Sequence, residues 1–168
     1  AETDIALDLT HASDIVFWQL LDYWQGPIHA SHCNCRALVP GQRHLSDEMI
    51  KAITDRGGVI GMVFAEAMLN PQLNFDNPDV WPQNAQRPMS AVVDHIDHIC
   101  QLVGSCTHVA LGSDLDGGFG REMAPIVYNT IADLQRFLDI LADRDYSADD
   151  IEAIAHGNLL NFFRQAWS

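Results

Sequence analysis

The fold is decided by the stretch Val59-Ile60-Gly61-Met62-Val63-Phe64, a short apolar run that follows a Gly57-Gly58 pair. Short apolar runs bounded by turn residues are typical of strands that are covered on both faces. Three more runs have this character, and they are Ile5-Ala6-Leu7-Asp8-Leu9, Pro27-Ile28-His29-Ala30-Ser31 and His108-Val109-Ala110-Leu111-Gly112. The sequence therefore predicts four buried strands.

A helix-like pattern follows each predicted strand. Ser13 and Ser46 are suited to cap the first two helices, because a serine hydroxyl can accept a hydrogen bond from a free backbone N–H of the first turn. Gly157 is expected to break the last helical region. Six helices are expected. The first starts near Ser13, and a short fifth one follows Ser147. The other four are expected from Ser46 to Gly57-Gly58, from about Met89 to Val103, from Ile131 to Leu141 and from Asn158 to Trp167.

Strict alternation of strand and helix predicts an α/β fold with a parallel sheet and helical crossovers. Four such units cannot close a (β/α)8 TIM barrel, which needs eight. The chain is therefore expected to be an open sheet or about half of a barrel. One long irregular stretch, from Glu66 to Arg87, is a candidate lid, binding loop or contact with another chain.

Composition narrows the class of protein. The chain has 168 residues, of which 48% are hydrophobic, and this suits a globular chain with one core. Its formal net charge of -14 makes nucleic acid an unfavourable partner, and no apolar run approaches the length of a membrane span. The four cysteines are too sparse for a disulfide scaffold and are interpreted as mostly free thiols. The start of the chain carries no leader pattern, so the compartment stays open, with a lean to the cytoplasm.

Residues that could carry chemistry follow the predicted strands. They are His11, His32, Glu66 and Asp114. In parallel α/β folds function gathers at the carboxyl ends of strands, and imidazole and carboxylate are the usual zinc ligands. A single histidine at a strand end is more often structural, but three candidate ligands in matching positions favour a metal-dependent hydrolase.

Five motifs follow one another along the chain. They are Leu7-Asp8-Leu9-Thr10-His11-Ala12-Ser13, Ala30-Ser31-His32, Arg43-His44-Leu45-Ser46-Asp47-Glu48, Asp94-His95-Ile96-Asp97-His98-Ile99 and Gly112-Ser113-Asp114-Leu115-Asp116-Gly117. In this order they resemble the membrane (renal-type) dipeptidase family, peptidase family M19 of the amidohydrolase superfamily. The resemblance runs from about Asp4 to Phe163 and corresponds to the second half of that family's catalytic barrel. Taken together over residues 1–168, it implies the C-terminal half of a metal-dependent dipeptidase, with the N-terminal half absent.

The resemblance implies a role for four residues. His11 and His32 match the histidines that hold one zinc of a binuclear pair. Asp114 matches the aspartate beside the other zinc, where it is both metal-associated and catalytic, because it handles the proton of the attacking water. Arg43 matches the arginine that binds the carboxylate of the dipeptide, a task suited to a planar guanidinium.

The departures from the family pattern concern the rest of that metal site. The family's His-x-Asp pair, its bridging glutamate and a substrate-contacting histidine have no counterpart here. His95-Ile96-Asp97 lies mid-helix, and His95 is interpreted as packing or helix surface. Cys33 and Cys35 are interpreted as free thiols near the pocket mouth, since no second pair completes a four-ligand site.

The implied function is zinc-dependent hydrolysis of dipeptides, with half of the binuclear site on this chain and negligible activity of the chain alone. The expected partners are a dipeptide substrate and either a second copy of the chain or an N-terminal half. Two alternatives stay open: another hydrolase of the amidohydrolase superfamily, and a non-catalytic half-barrel that assembles with a partner chain.

Overall fold

A computed structural model describes residues 5–73, 87–126 and 128–168. Its four strands are β1 (Leu7–Asp8), β2 (Ile28–His29), β3 (Ile60–Met62) and β4 (Val109–Leu111). β1 pairs with β2 and β3 with β4, both in parallel, and a parallel bridge from Ala30 to Ile60 joins the two pairs. The strand order therefore follows the chain, and all four predicted strands are present.

Among the described residues, six α-helices connect or follow these strands. They are α1 (Asp14–Tyr23), α2 (Asp47–Thr54), α3 (Ser90–Val103), α4 (Leu134–Asp143), α5 (Ala148–Glu152) and α6 (Asn158–Ala166). The predicted serine caps are confirmed, since Ser13 Oγ accepts from Val16 N and Ser46 Oγ from Met49 N. The alternation of strand and helix is the expected α/β pattern.

Several predicted boundaries were wrong. Gly157 does not break the C-terminal region: residues 153–157 form a π-helical turn that continues directly into α6, and Gly157 itself has helical angles. The absence of a side chain at Gly157 costs helix stability but imposes no turn, and neighbouring packing overrides it. The fourth helix begins with a 3₁₀ turn at Ile131–Asp133, and α2 ends at Thr54 rather than at the glycine pair. The predicted loop from Glu66 begins with a 3₁₀ turn, and residues 74–86 of it lie outside the described part of the chain.

The core lies between the sheet and the helices. On α3 the predicted stripe is confirmed at Val92, Ile96 and Ile99, which are fully buried, whereas Val103 is half-buried. The sheet does not close into a barrel, and β1 and β4 each pair on one side only among the described residues. Within the same ranges, no helix is long and apolar enough to cross a bilayer.

Two glycines allow the strands to approach each other closely. A Cβ atom at Gly61 or at Gly112 would collide with the carbonyl oxygen of Ser31. Ser31 directly precedes His32 at the carboxyl end of the β2 region. The packing of β3 and β4 against this carbonyl therefore fixes the backbone that carries His32.

Candidate metal and substrate site

His11, His32 and Asp114 meet at the carboxyl edge of the sheet. The Nε2 atoms of His11 and His32 lie 3.1 Å apart, and His32 Nε2 lies 3.9 Å from Asp114 Oδ2. Two nitrogens that each bind zinc at about 2.0–2.1 Å cannot be more than about 4.2 Å apart. The two imidazoles are therefore close enough to share one ion without movement of the backbone.

A hydrogen-bonded network behind His32 orients its ring. Asp8 Oδ1 accepts from the backbone N–H of Thr10 and of Ser31, both at 3.0 Å, and Asp8 Oδ2 accepts from Ser31 Oγ at 2.5 Å. Ser31 Oγ also lies 2.7 Å from His32 Nδ1. Because the Ser31 hydroxyl gives its proton to Asp8, it accepts from His32 Nδ1–H. This arrangement leaves the lone pair of His32 on Nε2, facing His11, as a metal ligand requires.

The protonation states of Asp8 and His32 also suit metal binding by His32. Loss of hydration would raise the pKa of Asp8, but hydrogen bonds from Ser31 and Thr10 outweigh it and lower this pKa to about 2. Burial lowers the pKa of His32 below its ordinary value, although the neighbouring Asp114 acts in the opposite direction. His32 is therefore neutral at physiological pH, the form in which imidazole binds metals.

The Asp114 carboxylate is held by an unusual backbone conformation. Asp114 has a φ of 55°, in the left-handed region that non-glycine residues rarely adopt. Its carbonyl accepts from Gly117 N at 2.9 Å, and a Cβ at Gly117 would collide with the Asp114 carboxylate. A strained residue maintained by its surroundings at a strand end is typical of a functional site.

Arg43 lies beside the histidines. Its Nη1 donates a 2.6 Å hydrogen bond to the carbonyl of Thr10, the residue before His11. Arg43 and His11 line one cavity of about 890 Å³, within the range of small-molecule sites. The cavity therefore offers one fixed cation and one candidate metal ligand on the same wall. Its other lining residues include Ser13, Gly41, Gln42, His44 and Leu73.

The donor set fits part of a zinc site. The two imidazoles present their Nε2 atoms to a common point, but in residues 5–73, 87–126 and 128–168 no group of three or more His, Cys, Asp or Glu side chains is arranged to hold an ion. The four predicted site residues thus lie at one edge of the sheet. The ligand roles of His11, His32 and Asp114 and the substrate role of Arg43 remain predictions.

The other candidate residues have structural positions. Cys33 and Cys35 are free thiols, but they are buried rather than near a pocket mouth, and burial raises the pKa of Cys33 to about 11. His95 is buried, and its Nδ1 accepts from Cys35 N at 3.1 Å, in agreement with a packing role. Asp8 was missed as a site residue, although a carboxylate inside the apolar run of β1 was a signal for it.

Comparison with known proteins extends these observations. The family model of the membrane dipeptidases, peptidase family M19, matches residues 2–168. An uncharacterised protein from the pqqA 5′ region of Klebsiella pneumoniae is 30% identical over 96% of this chain and 55% of its own length. Human dipeptidase 3 is 26% identical over 95% of this chain and 29% of its own length.

A solved structure shows the same arrangement of elements. It is a metallo peptidase from Rhodobacter sphaeroides liganded with a phosphinate mimic of the dipeptide L-Ala-D-Ala, with a TM-score of 0.83 and 25% identity. The match covers 98% of this chain and 43% of that one. The chain thus spans about half the length, or less, of the relatives it matches. Its sequence match and its α/β structure show that it belongs to the membrane dipeptidase family, the M19 metallopeptidases.

Proposed function

We propose that this chain contributes half of a binuclear zinc site to the hydrolysis of dipeptides. The observation that carries the proposal is the 3.1 Å separation of His11 Nε2 and His32 Nε2, with the Asp114 carboxylate 3.9 Å from the second. Membership of a family of dipeptidases supports the reaction. The dipeptide mimic bound by the Rhodobacter sphaeroides relative supports the substrate class.

In this proposal, different residues of the chain bind the metal, orient a metal ligand and transfer a proton. His11 and His32 hold one zinc, and Ser31 and Asp8 keep the His32 ring in the correct tautomer. Zinc bound there supplies a water of lowered pKa and a Lewis acid for the scissile carbonyl. Asp114 takes the proton from the attacking water and delivers it to the leaving amine.

Arg43 selects the substrate in this proposal. Its guanidinium binds the free carboxylate of the dipeptide at the wall of the 890 Å³ cavity, which holds the scissile bond near His11. A planar fork with several donors binds a carboxylate through two hydrogen bonds, which a lysine cannot reproduce. The site therefore prefers dipeptides with a free C-terminus to amidated ones.

Zinc binding by the chain tests the proposal. Competition with a chromogenic chelator should give a zinc affinity that falls at least about tenfold when His11 and His32 are both replaced by asparagine, because two ligands are lost. His156→Asn removes an exposed histidine on the C-terminal helical segment and is the matched control. Equal zinc affinity in the wild type and in the double variant would refute the half-site.

The chain is also proposed to need a partner for activity. β1 and β4 have unpaired outer edges among the described residues, and α1 exposes Ile15, Trp18 and Tyr23. Open edges and exposed apolar side chains favour association. We expect an oligomer, or a complex with an N-terminal half, in light scattering, and negligible dipeptide hydrolysis by the chain with zinc alone. A stable monomer would contradict the first expectation, and robust turnover the second.

A non-catalytic half-barrel is the second candidate. It is favoured by the finding that the described ranges contain no complete three-ligand group. The two candidates differ when a chain that supplies the remaining ligands is added. Zinc-dependent turnover of a dipeptide in that mixture supports the enzyme, whereas assembly without turnover supports the scaffold.

A further inference from the structure

Two half-buried cysteines line one cavity on the side of the fold away from the metal edge. Cys100 lies in the last turns of α3, where its carbonyl accepts from Gly104 N at 2.8 Å. Cys106 lies in the connection to β4, where its carbonyl accepts from Asn158 Nδ2 at 2.8 Å. The backbones of both residues are therefore anchored, and both side chains line the same cavity.

A polar cavity of about 320 Å³ gives access to this pair. Tyr146 lines the cavity, and its hydroxyl donates to Asp97 Oδ1 at 2.6 Å. Arg144 donates to Asp97 Oδ2 at 2.6 Å. The cavity is lined by the carboxylates of Asp97, Asp145 and Asp150 and by the guanidinium of Arg144. The net charge of its lining is therefore negative.

We propose that Cys100 and Cys106 form a thiol–disulfide exchange site that reacts with small, preferably cationic, disulfides and closes to an intramolecular disulfide. The first thiolate attacks one sulfur of the small disulfide, which forms a mixed disulfide and releases one small thiolate. The second cysteine thiolate then attacks the protein sulfur of the mixed disulfide and releases the other small thiolate. Both electrons pass to the small disulfide, and both cysteine protons pass to solvent.

The rate of the exchange depends on the ionisation of the two thiols. Burial raises the pKa of both Cys100 and Cys106. The thiolate is the reactive form, so either cysteine can make the first attack, and the other then closes the disulfide. The raised pKa values also make the exchange slow near neutrality and faster as pH rises.

The remaining two cysteines provide an internal comparison. Cys33 and Cys35 are 1% and 0% exposed, and their thiols donate to different carbonyls, those of Thr10 and His95. They lie in the core next to the metal edge, and neither lines the cavity that Cys100 and Cys106 share. Exchange should therefore be confined to the Cys100–Cys106 pair.

The experiment treats the reduced chain with cystamine, a cationic disulfide, or with oxidised glutathione, an anionic one, followed by peptide mapping without reduction. We expect loss of the mass of two hydrogens, a linked peptide containing Cys100 and Cys106, and faster reaction with cystamine. Cys106→Ser should abolish the link, and the Cys33→Ser, Cys35→Ser double variant should leave it intact.

Three results would overturn the proposal in the wild-type chain itself, whether or not the variants fold. They are a mixed disulfide that persists without closing, a link that involves Cys33 or Cys35, and the absence of reaction at a pH high enough to ionise ordinary thiols. Equal rates with cystamine and oxidised glutathione would overturn the preference for cationic disulfides.

Discussion

His95 should make the stability of the fold depend strongly on acid. The residue is 2% exposed, and its Nδ1 accepts a hydrogen bond from the backbone N–H of Cys35. Burial, with the nearby His44 and His98, lowers the pKa of His95 to about 3. The folded state therefore holds His95 neutral, since a proton on Nδ1 would remove the acceptor for Cys35 and leave a charge in the core.

The sign of the effect follows from proton linkage. In the unfolded chain the imidazole has an ordinary pKa near 6.5, so below that pH the unfolded state binds a proton that the folded state does not. Stability is then highest above about pH 6.5 and falls as the pH drops towards about 3. Between pH 7 and pH 5 we expect a loss of about 2 kcal/mol from His95 alone. His44, whose pKa is lowered to about 4 by burial and by Arg43, should add a similar amount.

Urea denaturation at both pH values measures this difference. In His95→Asn the amide oxygen can still accept from Cys35 N, so the variant loses stability at every pH through the cavity it leaves, but its difference between pH 7 and pH 5 should shrink by about 2 kcal/mol. His156→Asn, which removes an exposed imidazole, should reproduce the wild-type difference. A wild-type pH dependence retained in His95→Asn would refute the argument.

The remaining predictions concern the sheet and the proposed assembly of this chain with a complementing half. Gly112→Ala should destabilise the fold by about 1–3 kcal/mol or more in urea denaturation, because its Cβ collides with the Ser31 carbonyl, whereas Gly157→Ala in the C-terminal helical region should be neutral or stabilising. In an assembly with a complementing half, Arg43→Lys should raise KM for dipeptides with a free carboxylate but not for amidated ones, and an unchanged KM would refute the substrate role. In the same assembly Asp114→Asn should lower kcat by about 10²–10⁴ with little change in folding, and a near-normal kcat would assign the proton transfer elsewhere.

The strands and helices of the fold were predictable from local sequence patterns. The errors in the predicted helix boundaries arose where tertiary packing determines the end of a helix. Short apolar runs identified all four strands because parallel strands covered on both faces have little polar alternation. The helix around Gly157 was misjudged because a glycine only weakens a helix locally, while its flanks pack against β4 and Val109 accepts a hydrogen bond from Asn158. Helix ends depend on such long-range contacts, which a single sequence does not display.

The candidate site was predictable in its residue types but not in its supporting bonds. Strand-end position identified His11, His32 and Asp114, because parallel strands place their carboxyl ends on one edge. The carboxylate of Asp8 inside an apolar run was a signal for that residue, but its bonds to Ser31 could not be predicted, because they require the register of β1 against β2. That register pairs Asp8 with His29 and brings the Asp8 carboxylate to Ser31. Register is a property of paired strands rather than of either strand alone.

Ser31 connects the sheet to the candidate metal site. Its hydroxyl orients His32, its backbone N–H binds Asp8, and its carbonyl occupies the space left open by Gly61 and Gly112. The ring of His32 is thus positioned by contacts that lie wholly within this chain. A partner that completes the site should therefore add ligands and raise the affinity for zinc without reorienting His32. A Cβ at Gly112 would collide with this same carbonyl of Ser31. Gly112→Ala should therefore lower both the affinity for zinc and the stability of the fold, even though Gly112 is not a candidate ligand.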